Sequence, residues 1–408
     1  MTARLHTSCA TGRIAPDLPG LSPGNGWSIG GGLADLGDVS LTAEAVIDLT
    51  AIRENTAALG ERVRPAAQMA VVKSDGYGHG MVRAAGAALA GGASWLGVIS
   101  VAEATGLREA GFTVPVLCLL DDPEAAHAEA IGRGVDLTAG SVGSLSRMAT
   151  AAAAAGRPAR VHLKADTGMS RGGATSAEWP GLVDAALTAQ AAGHVEIIGL
   201  WSHLACADIP GHPSVPAQAA AFGDAVELAE KAGARPEVRH LANTPATLSL
   251  PETWFDLVRT GGGIYGLDTR PGPAPDWMRP AMTARSRLVQ VKRVPAGSGV
   301  SYGHRYVTAA ETTLGLVPVG YADGVPRAAS GVAPVQTRGR RRTITGTVCM
   351  NQFVIDVGDT PAEVGDEVVL FGPGDAGEPT VQDWADALGT ISYEIVTAFG
   401  SRWPRSYC

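Results

Sequence analysis

The chain has 408 residues, of which 45% are hydrophobic and 18% charged, and its formal net charge is −8. That length supports two domains with well-buried cores, and the balance is that of a globular protein rather than a disordered or fibrous one. The acidic total excludes a nucleic-acid platform, which needs a basic charge or a basic face; the one basic run, "RGRRR" at 338–342, reads as a solvated turn between strands.

The five cysteines, Cys9, Cys118, Cys206, Cys349 and Cys408, are widely spaced and odd in number. No C-x-x-C pair and no Cys/His cluster of zinc spacing occurs, so neither a disulfide framework nor a metal site is expected, and a reducing compartment is. The first twenty residues lack the apolar core of a signal peptide, and no apolar run approaches a membrane span. The expectation is a cytoplasmic protein that binds neither membrane nor nucleic acid.

Residues 1–42 are rich in Gly, Pro and Ser, with weak periodicity, and read as an N-terminal extension. "EAVIDL" is a short strand, and "TAIRENTAALGERV" an amphipathic helix with Thr50 placed as its N-cap. Apolar runs then alternate with Ala-rich helical stretches: "QMAVVK", "SWLGVIS", "VPVLCLL", "GVDLTA", "ARVHLKA", "VEIIGLW", "EVRHLA" and "FDLVRT". Eight strand–helix units, apolar on both strand faces, predict an α/β fold with a (β/α)8 TIM-type barrel over 43–279. An open doubly wound sheet is the alternative, weakened because no G-x-G-x-x-G follows the first strand. From 280 to 408 short strands separated by Gly, Pro and Asp predict a separate β-rich domain, and the early strand at 45–49 is a candidate to join it. Its one helix, "TVQDWADALG", has Thr380 placed to cap it.

In a barrel of this type, chemistry collects at the C-terminal ends of the strands. Lys73 ends the first strand; "DTGMSRGG" with Arg171 follows the fifth; "SHLA" with Ser202 and His203 follows the sixth; "ANTPAT" follows the seventh; "RTGGGIYG" ends the eighth. Singly, a lysine at a strand end is a solvated charge, a lone histidine is structural and a glycine run is a turn; their arrival at one mouth is what points to a site. Glycines after the eighth strand let backbone N–H groups approach a phosphate. A phosphate plus an inward lysine suggests a phosphorylated aldehyde held as a Schiff base. Pyridoxal 5′-phosphate is the first candidate, and a sugar-phosphate aldolase would use the same parts.

The ordered set "AVVKSDGYGHG", "LKADTGMSRGG", "SHLA", "ANTPAT", "RTGGGIYGLD", "SYGHRY", "GYADGVPR", "GTVCMNQ" and "TISYEI" resembles the alanine racemase family from about residue 43 to 403. The resemblance implies a pyridoxal-phosphate enzyme that interconverts L- and D-alanine by a two-base mechanism. It implies a homodimer with shared active sites and a small amino-acid substrate. Lys73 matches the lysine that holds the cofactor, and Tyr302 the second base. Tyr77, Asn243, Thr244, Tyr393 and the backbone of Gly261 and Gly262 match the cofactor's phosphate cradle and its surroundings. Arg259 matches the arginine facing the pyridine nitrogen, with His203 behind it. Arg171 matches the arginine near the phenolic oxygen and substrate carboxylate. Tyr302 and Met350 match residues that reach in from the partner chain, Tyr321 a residue of the substrate entrance, and Lys164 a lysine carbamylated in some members.

The chain departs from the family pattern at Ser74 and Gly76, where alanines are usual, and Gly76 is expected to loosen the loop carrying Tyr77. It departs again at Ser170, at Gly262, which replaces a larger side chain, and at Asn351, where aspartate is usual. These changes leave the two bases intact and bear on substrate choice. A racemase for another amino acid such as serine is therefore the first alternative. A non-catalytic pyridoxal-phosphate-binding protein is the second, opposed by the β domain with Tyr302 and Met350.

Overall fold

The computed structural model describes residues 43–120 and 122–408, so the expected N-terminal extension lies outside the described residues. The first strand, β1 (Ala43–Ile47), leads into a helix over Leu49–Val63. Asp48, not Thr50, caps that helix: its Oδ1 accepts from the Ala51 N–H at 2.9 Å, and Thr50 lies one position inside the first turn. An aspartate supplies both an acceptor and a negative charge to the helix N-terminus, which decides between the two residues.

Eight parallel strands follow: β2 (Ala67–Val71), β3 (Trp95–Val98), β4 (Val116–Cys118), β5 (Asp136–Ala139), β6 (Ala159–Lys164), β7 (Val195–Trp201), β8 (Val238–His240) and β9 (Leu257–Thr260). They hydrogen-bond in the order β8-β7-β6-β5-β4-β3-β2-β9. Backbone bonds from Asp256 N to Arg239 O (3.1 Å) and from Arg259 N to Ala242 O (2.9 Å) join the two end strands. The predicted barrel is therefore present, with a helix covering most of its connections.

The lumen departs from the expectation of strands apolar on both faces. Its apolar half holds Met69, Val71, Trp95, Leu117, Ile198 and Leu257. The other half is polar. In β6, Val161 and Leu163 pack with the surrounding helices, so Arg160, His162 and Lys164 face inward by the two-residue period. From this face a buried column begins. Asp136 accepts from Arg160 Nε (2.7 Å) and lies 3.5 Å from His162 Nε2. His162 Nδ1 lies 2.9 Å from His240 Nε2, and His240 Nδ1 lies 3.0 Å from Arg259 Nη1. The column runs from the N-terminal end of the barrel to its mouth.

The β-rich domain follows. Met282–Arg287 pairs antiparallel with one edge of β1, and the last strand, Arg405–Tyr407, pairs parallel with the other. Both ends of the described chain thus meet in one nine-stranded sheet. Thr380 caps Val381–Leu388 through a reciprocal pair, Asp383 N to Thr380 Oγ1 (3.1 Å) and Thr380 N to Asp383 Oδ2 (2.8 Å). Trp384 and Phe399, from successive helices, pack edge to face at 5.5 Å in this domain's core. Among the described residues, no helix is long and apolar enough to cross a membrane.

One glycine makes room for the polar column. The β6–β7 register shifts between Val161 and His162, and Gly199 then stands opposite His162. A Cβ at Gly199 would collide with Nδ1, Cε1 and Cγ of the His162 ring. Gly199→Ala should therefore destabilise the fold by about 1–3 kcal/mol, as overpacked cores do. Urea denaturation measures this, and an unchanged midpoint would show that the ring has space to move.

Candidate active site

The mouth of the barrel is built on an uncommon backbone. After β2 the chain enters a turn in which Ser74, Asp75, Gly76 and Tyr77 have φ of 55°, 53°, 63° and 53°, followed by Gly78 at 81°. This is a turn of left-handed helix, begun at Lys73. Left-handed geometry drives Cβ against the following carbonyl, and at about 1–2 kcal/mol for each non-glycine residue, Ser74, Asp75 and Tyr77 together cost roughly 3–6 kcal/mol. Gly76 carries no such cost, and a Cβ there would press on Ala84 and Met81 at 3.3 Å. Glycine at 76 thus favours the turn, contrary to the expectation that it loosens it.

Contacts from several directions hold the turn. Ser74 N donates to Glu103 Oε1 (2.7 Å), and Met81 N donates to Asp75 Oδ1 (2.8 Å). His79 Nδ1 lies 3.0 and 3.1 Å from the carbonyls of Gly76 and Tyr77, so it carries the proton and donates. Burial depresses His79 to about 4, which keeps the ring neutral, and it stacks on Tyr265 at 4.4 Å.

Arg259, in β9, is 3% exposed. Its Nη1 donates to His240 Nδ1 (3.0 Å) and His240 O (2.9 Å); its Nη2 donates to Ser202 O (2.7 Å), His203 Nδ1 (3.0 Å) and Leu241 O (3.0 Å). These bonds occupy both terminal nitrogens and leave Nε–H as the remaining donor of the guanidinium. The bonds also set the tautomers. His203 and His240 accept at Nδ1, so their protons sit on Nε2, and His240 in turn donates to His162. Burial, with the Arg259 charge, holds both His203 and His240 well below the usual imidazole range. Burial brings Arg259 itself down to about 9. The Trp201 ring shields both Arg259 and Lys164, whose cations lie 4.9 and 4.5 Å from its centre.

Lys73, Lys164, Arg171, His203 and Arg259 are all brought to this mouth, where burial and the charges of Arg171 and Arg259 lower Lys73, Lys164 and His203. Lys73 is lowered by burial and then by the Arg171 charge, against an opposing pull from Glu103. A group of cations with so few acids among them is suited to an anionic ligand.

Beside them, Thr244 Oγ1 accepts from the backbone N–H of Gly261 (3.0 Å) and Gly263 (3.2 Å). Tyr77 and Tyr393 meet edge to face at 5.5 Å, and burial raises both phenols above their ordinary value, so both keep their protons. The departure at Gly262 has a steric reason: a Cβ there would collide with the Tyr393 ring, and one at Gly261 with the Tyr77 hydroxyl. Asn243 adjoins this cradle, but its side chain caps the helix Thr244–Ser249, accepting from Ala246 N at 3.2 Å.

Three expected site residues are not brought to Lys73 within the chain. Tyr302 is 73% exposed and Met350 56% exposed on the β domain, and Tyr321 is exposed as well. Tyr302 is nonetheless held from behind. Thr347 Oγ1 donates to its carbonyl (2.8 Å), and Ser301, at φ 62°, donates from Oγ to Thr347 O (2.6 Å).

Sequence reasoning passed over His162, His240 and Asp136. The signal available was a histidine inside each of two apolar strand runs, "RVHLK" and "VRHLA". It also passed over Trp201, for which a tryptophan at a strand's last position was the only cue.

Lys164 yields a prediction for pH. Burial and the charges of Arg171 and Arg259 depress it from 10.5 to about 8. Between those values the unfolded chain binds more protons than the folded one, so stability rises with pH. The cofactor-free protein should therefore gain stability relative to Lys164→Met from about pH 8 to pH 10.5. Denaturant midpoints across that window measure the difference, and parallel curves would contradict the depressed value.

Comparison with known proteins bears on the whole chain. The family model described as alanine racemase, N-terminal domain, matches residues 47–269, and that described as alanine racemase, C-terminal domain, matches 281–407. An alanine racemase of Frankia casuarinae is 58% identical over 366 residues, covering 89% of this chain and 95% of the relative. The solved alanine racemase of Streptomyces coelicolor superposes with a TM-score of 0.88 at 53% identity, covering 90% of this chain and 98% of that one. A more distant structure, the alanine racemase of Bartonella henselae with covalently bound pyridoxal phosphate, has a TM-score of 0.81 at 28% identity, over 90% of this chain and 99% of that one. With both family models matched along nearly all of the described residues, and the barrel and β domain arranged as in the solved relatives, the chain belongs to the alanine racemase family.

Proposed function

We propose that this chain interconverts L- and D-alanine with pyridoxal 5′-phosphate held on Lys73, as a cytoplasmic homodimer in which each site is completed by the partner chain. The observation that carries the reading is the convergence of Lys73, Arg171 and Arg259 beside a glycine-lined cradle with two protonated phenols. The residues present fit the cofactor. The absence of a Cβ at Gly261 and Gly262 lets the Tyr77 and Tyr393 phenols stand against this backbone, and with the Thr244 hydroxyl they offer donors to a phosphate. When bound, pyridoxal phosphate supplies an aldehyde for the substrate amine and a conjugated ring that acidifies Cα–H.

The chain's own groups do the rest. Arg259 has one N–H left for the pyridine nitrogen. A guanidinium at about 9 keeps its proton at neutral pH, so it would donate a hydrogen bond to a bound ring without protonating it. Electron withdrawal by such a ring would be moderate, which would favour return of the proton to Cα. Arg171 orients the substrate carboxylate. Lys73, its pKa lowered, takes the proton from one face of Cα, and the partner's Tyr302 serves the opposite face. The partner's Met350 and Tyr321 bound a space for a small side chain. Lys164, at about 8, has a neutral fraction able to take up carbon dioxide and release a proton, leaving a carbamate beside Arg171.

Protein supplied with pyridoxal phosphate in D2O should convert L-alanine to D-alanine carrying deuterium at Cα, followed by circular dichroism and mass spectrometry. Failure to do so overturns the proposed activity. Lys73→Ala and Tyr302→Phe should each lose on the order of 10²–10⁴-fold in rate, the range for a lost acid–base group. Refolded together, the two variants should recover about a quarter of wild-type activity, because half the dimers are mixed and each holds one intact site of two. No recovery, with mixed dimers confirmed by mass, would place both bases on one chain.

A further inference from the structure

We infer that the last strand of the chain is a positioning element for Lys73: the ion pair between Arg405 and Asp75 holds the left-handed turn in the form that presents the lysine and Tyr77 to the barrel mouth. The inference rests on the proposed role of Lys73 and adds residues that take no part in binding or proton transfer.

Asp75 is the centre of the turn, and its two carboxylate oxygens are divided between two neighbours. Oδ1 accepts from Met81 N at 2.8 Å, which ties the turn to the following helix, Met81–Ala90. Oδ2 accepts from Arg405 Nη1 at 2.5 Å, and the same nitrogen donates to Gly78 O at 3.2 Å. Arg405 therefore bonds to the middle of the turn and to its end. Its strand is itself fixed by parallel pairing with β1, through Ala45, Val46 and Ile47.

Close packing repeats the contact on either side. A Cβ at Gly80, where φ is 92°, would collide with the Tyr407 hydroxyl. Gly78 and Gly400 approach so closely that a Cβ on Gly400 would meet the Gly78 backbone. The turn is gripped between its own helix and the segment from Gly400 to Tyr407.

An isolated, half-exposed ion pair does little for stability. This one acts on a backbone that three non-glycine residues disfavour, so a small loss of support shifts the turn toward other conformations. Lys73 stands two residues before Asp75 and Tyr77 two after, so both change direction when the turn relaxes. The substrate-carboxylate group, Arg171, is on a different loop and does not move with them.

The test uses the full-length holoenzyme. Arg405→Gln should speed cofactor release on dilution by about tenfold, the loss of one charge-assisted hydrogen bond. Amide hydrogen exchange should rise within residues 74–80 alone. The kcat for alanine should fall while KM stays within about twofold, since Arg171 is untouched. Asp75→Asn should give a similar change, the double variant no more than either single one, and Arg405→Lys should recover part of the loss. Unchanged release and exchange, single effects that multiply in the double variant, or faster exchange throughout the protein would each overturn the inference. Wild-type protein that takes up no cofactor would instead count against the role of Lys73, and the exchange measurement would still decide whether Arg405 holds the turn.

Discussion

A guanidinium buried in a barrel, with no carboxylate in direct contact among the described residues, constrains much of the rest of this structure. Removing a charge from water costs several kcal/mol unless its donors are met. Arg259 meets this with three carbonyls, two imidazole nitrogens and the face of Trp201. Each solution imposes another. The imidazoles must be neutral and must accept at Nδ1; His240 must then pass its proton to His162; His162 must have room, which requires Gly199; and the column ends on Asp136, which needs Arg160. The carboxylate of this column, Asp136, therefore stands two imidazoles away from Arg259, and the arginine keeps one donor free.

The β domain complements this arrangement in two directions. Inward, its last strand and the helix Ser392–Gly400 close over the lysine turn and bring Tyr393 to Tyr77. Outward, it presents Tyr302 and Met350 on its surface, with Tyr302 held by Thr347 and by a strained Ser301. Rigid support behind an exposed tyrosine is unexpected for a solvent-facing residue and is what the proposed role of Tyr302 would require.

Much of this was legible in the sequence, for identifiable reasons. All eight barrel strands were visible because buried parallel strands read as apolar runs, and the mouth was visible because Lys73, Arg171, His203, Thr244 and Arg259 fall at or just after strand ends. Thr380 was found as a cap because a capping box is local. Other features were hidden. Arg160, His162 and Lys164 alternate with Val161 and Leu163, a pattern that also describes a strand with one wet face, so the polar lumen could not be read from it. The left-handed turn has no local signature beyond its glycines, since Ser74, Asp75 and Tyr77 adopt it only under tertiary support. The N-cap was misplaced by two residues because Asp48 and Thr50 are both competent caps, and the charge that Asp48 adds at the helix N-terminus is what separates them.

The contact between Asp75 and Arg405 spans 330 residues of sequence. At ribosomal rates of about 5–20 residues per second, roughly 15 to 65 seconds separate the synthesis of the two partners. Through that interval the barrel can assemble strand by strand, but the turn after β2 lacks the strand that closes over it. The lysine turn is thus among the last parts of the molecule to gain its full set of contacts, although it is among the first to be made. Synthesis of the Arg405–Tyr407 strand, rather than closure of the barrel, is the event that supplies the turn with its last contacts.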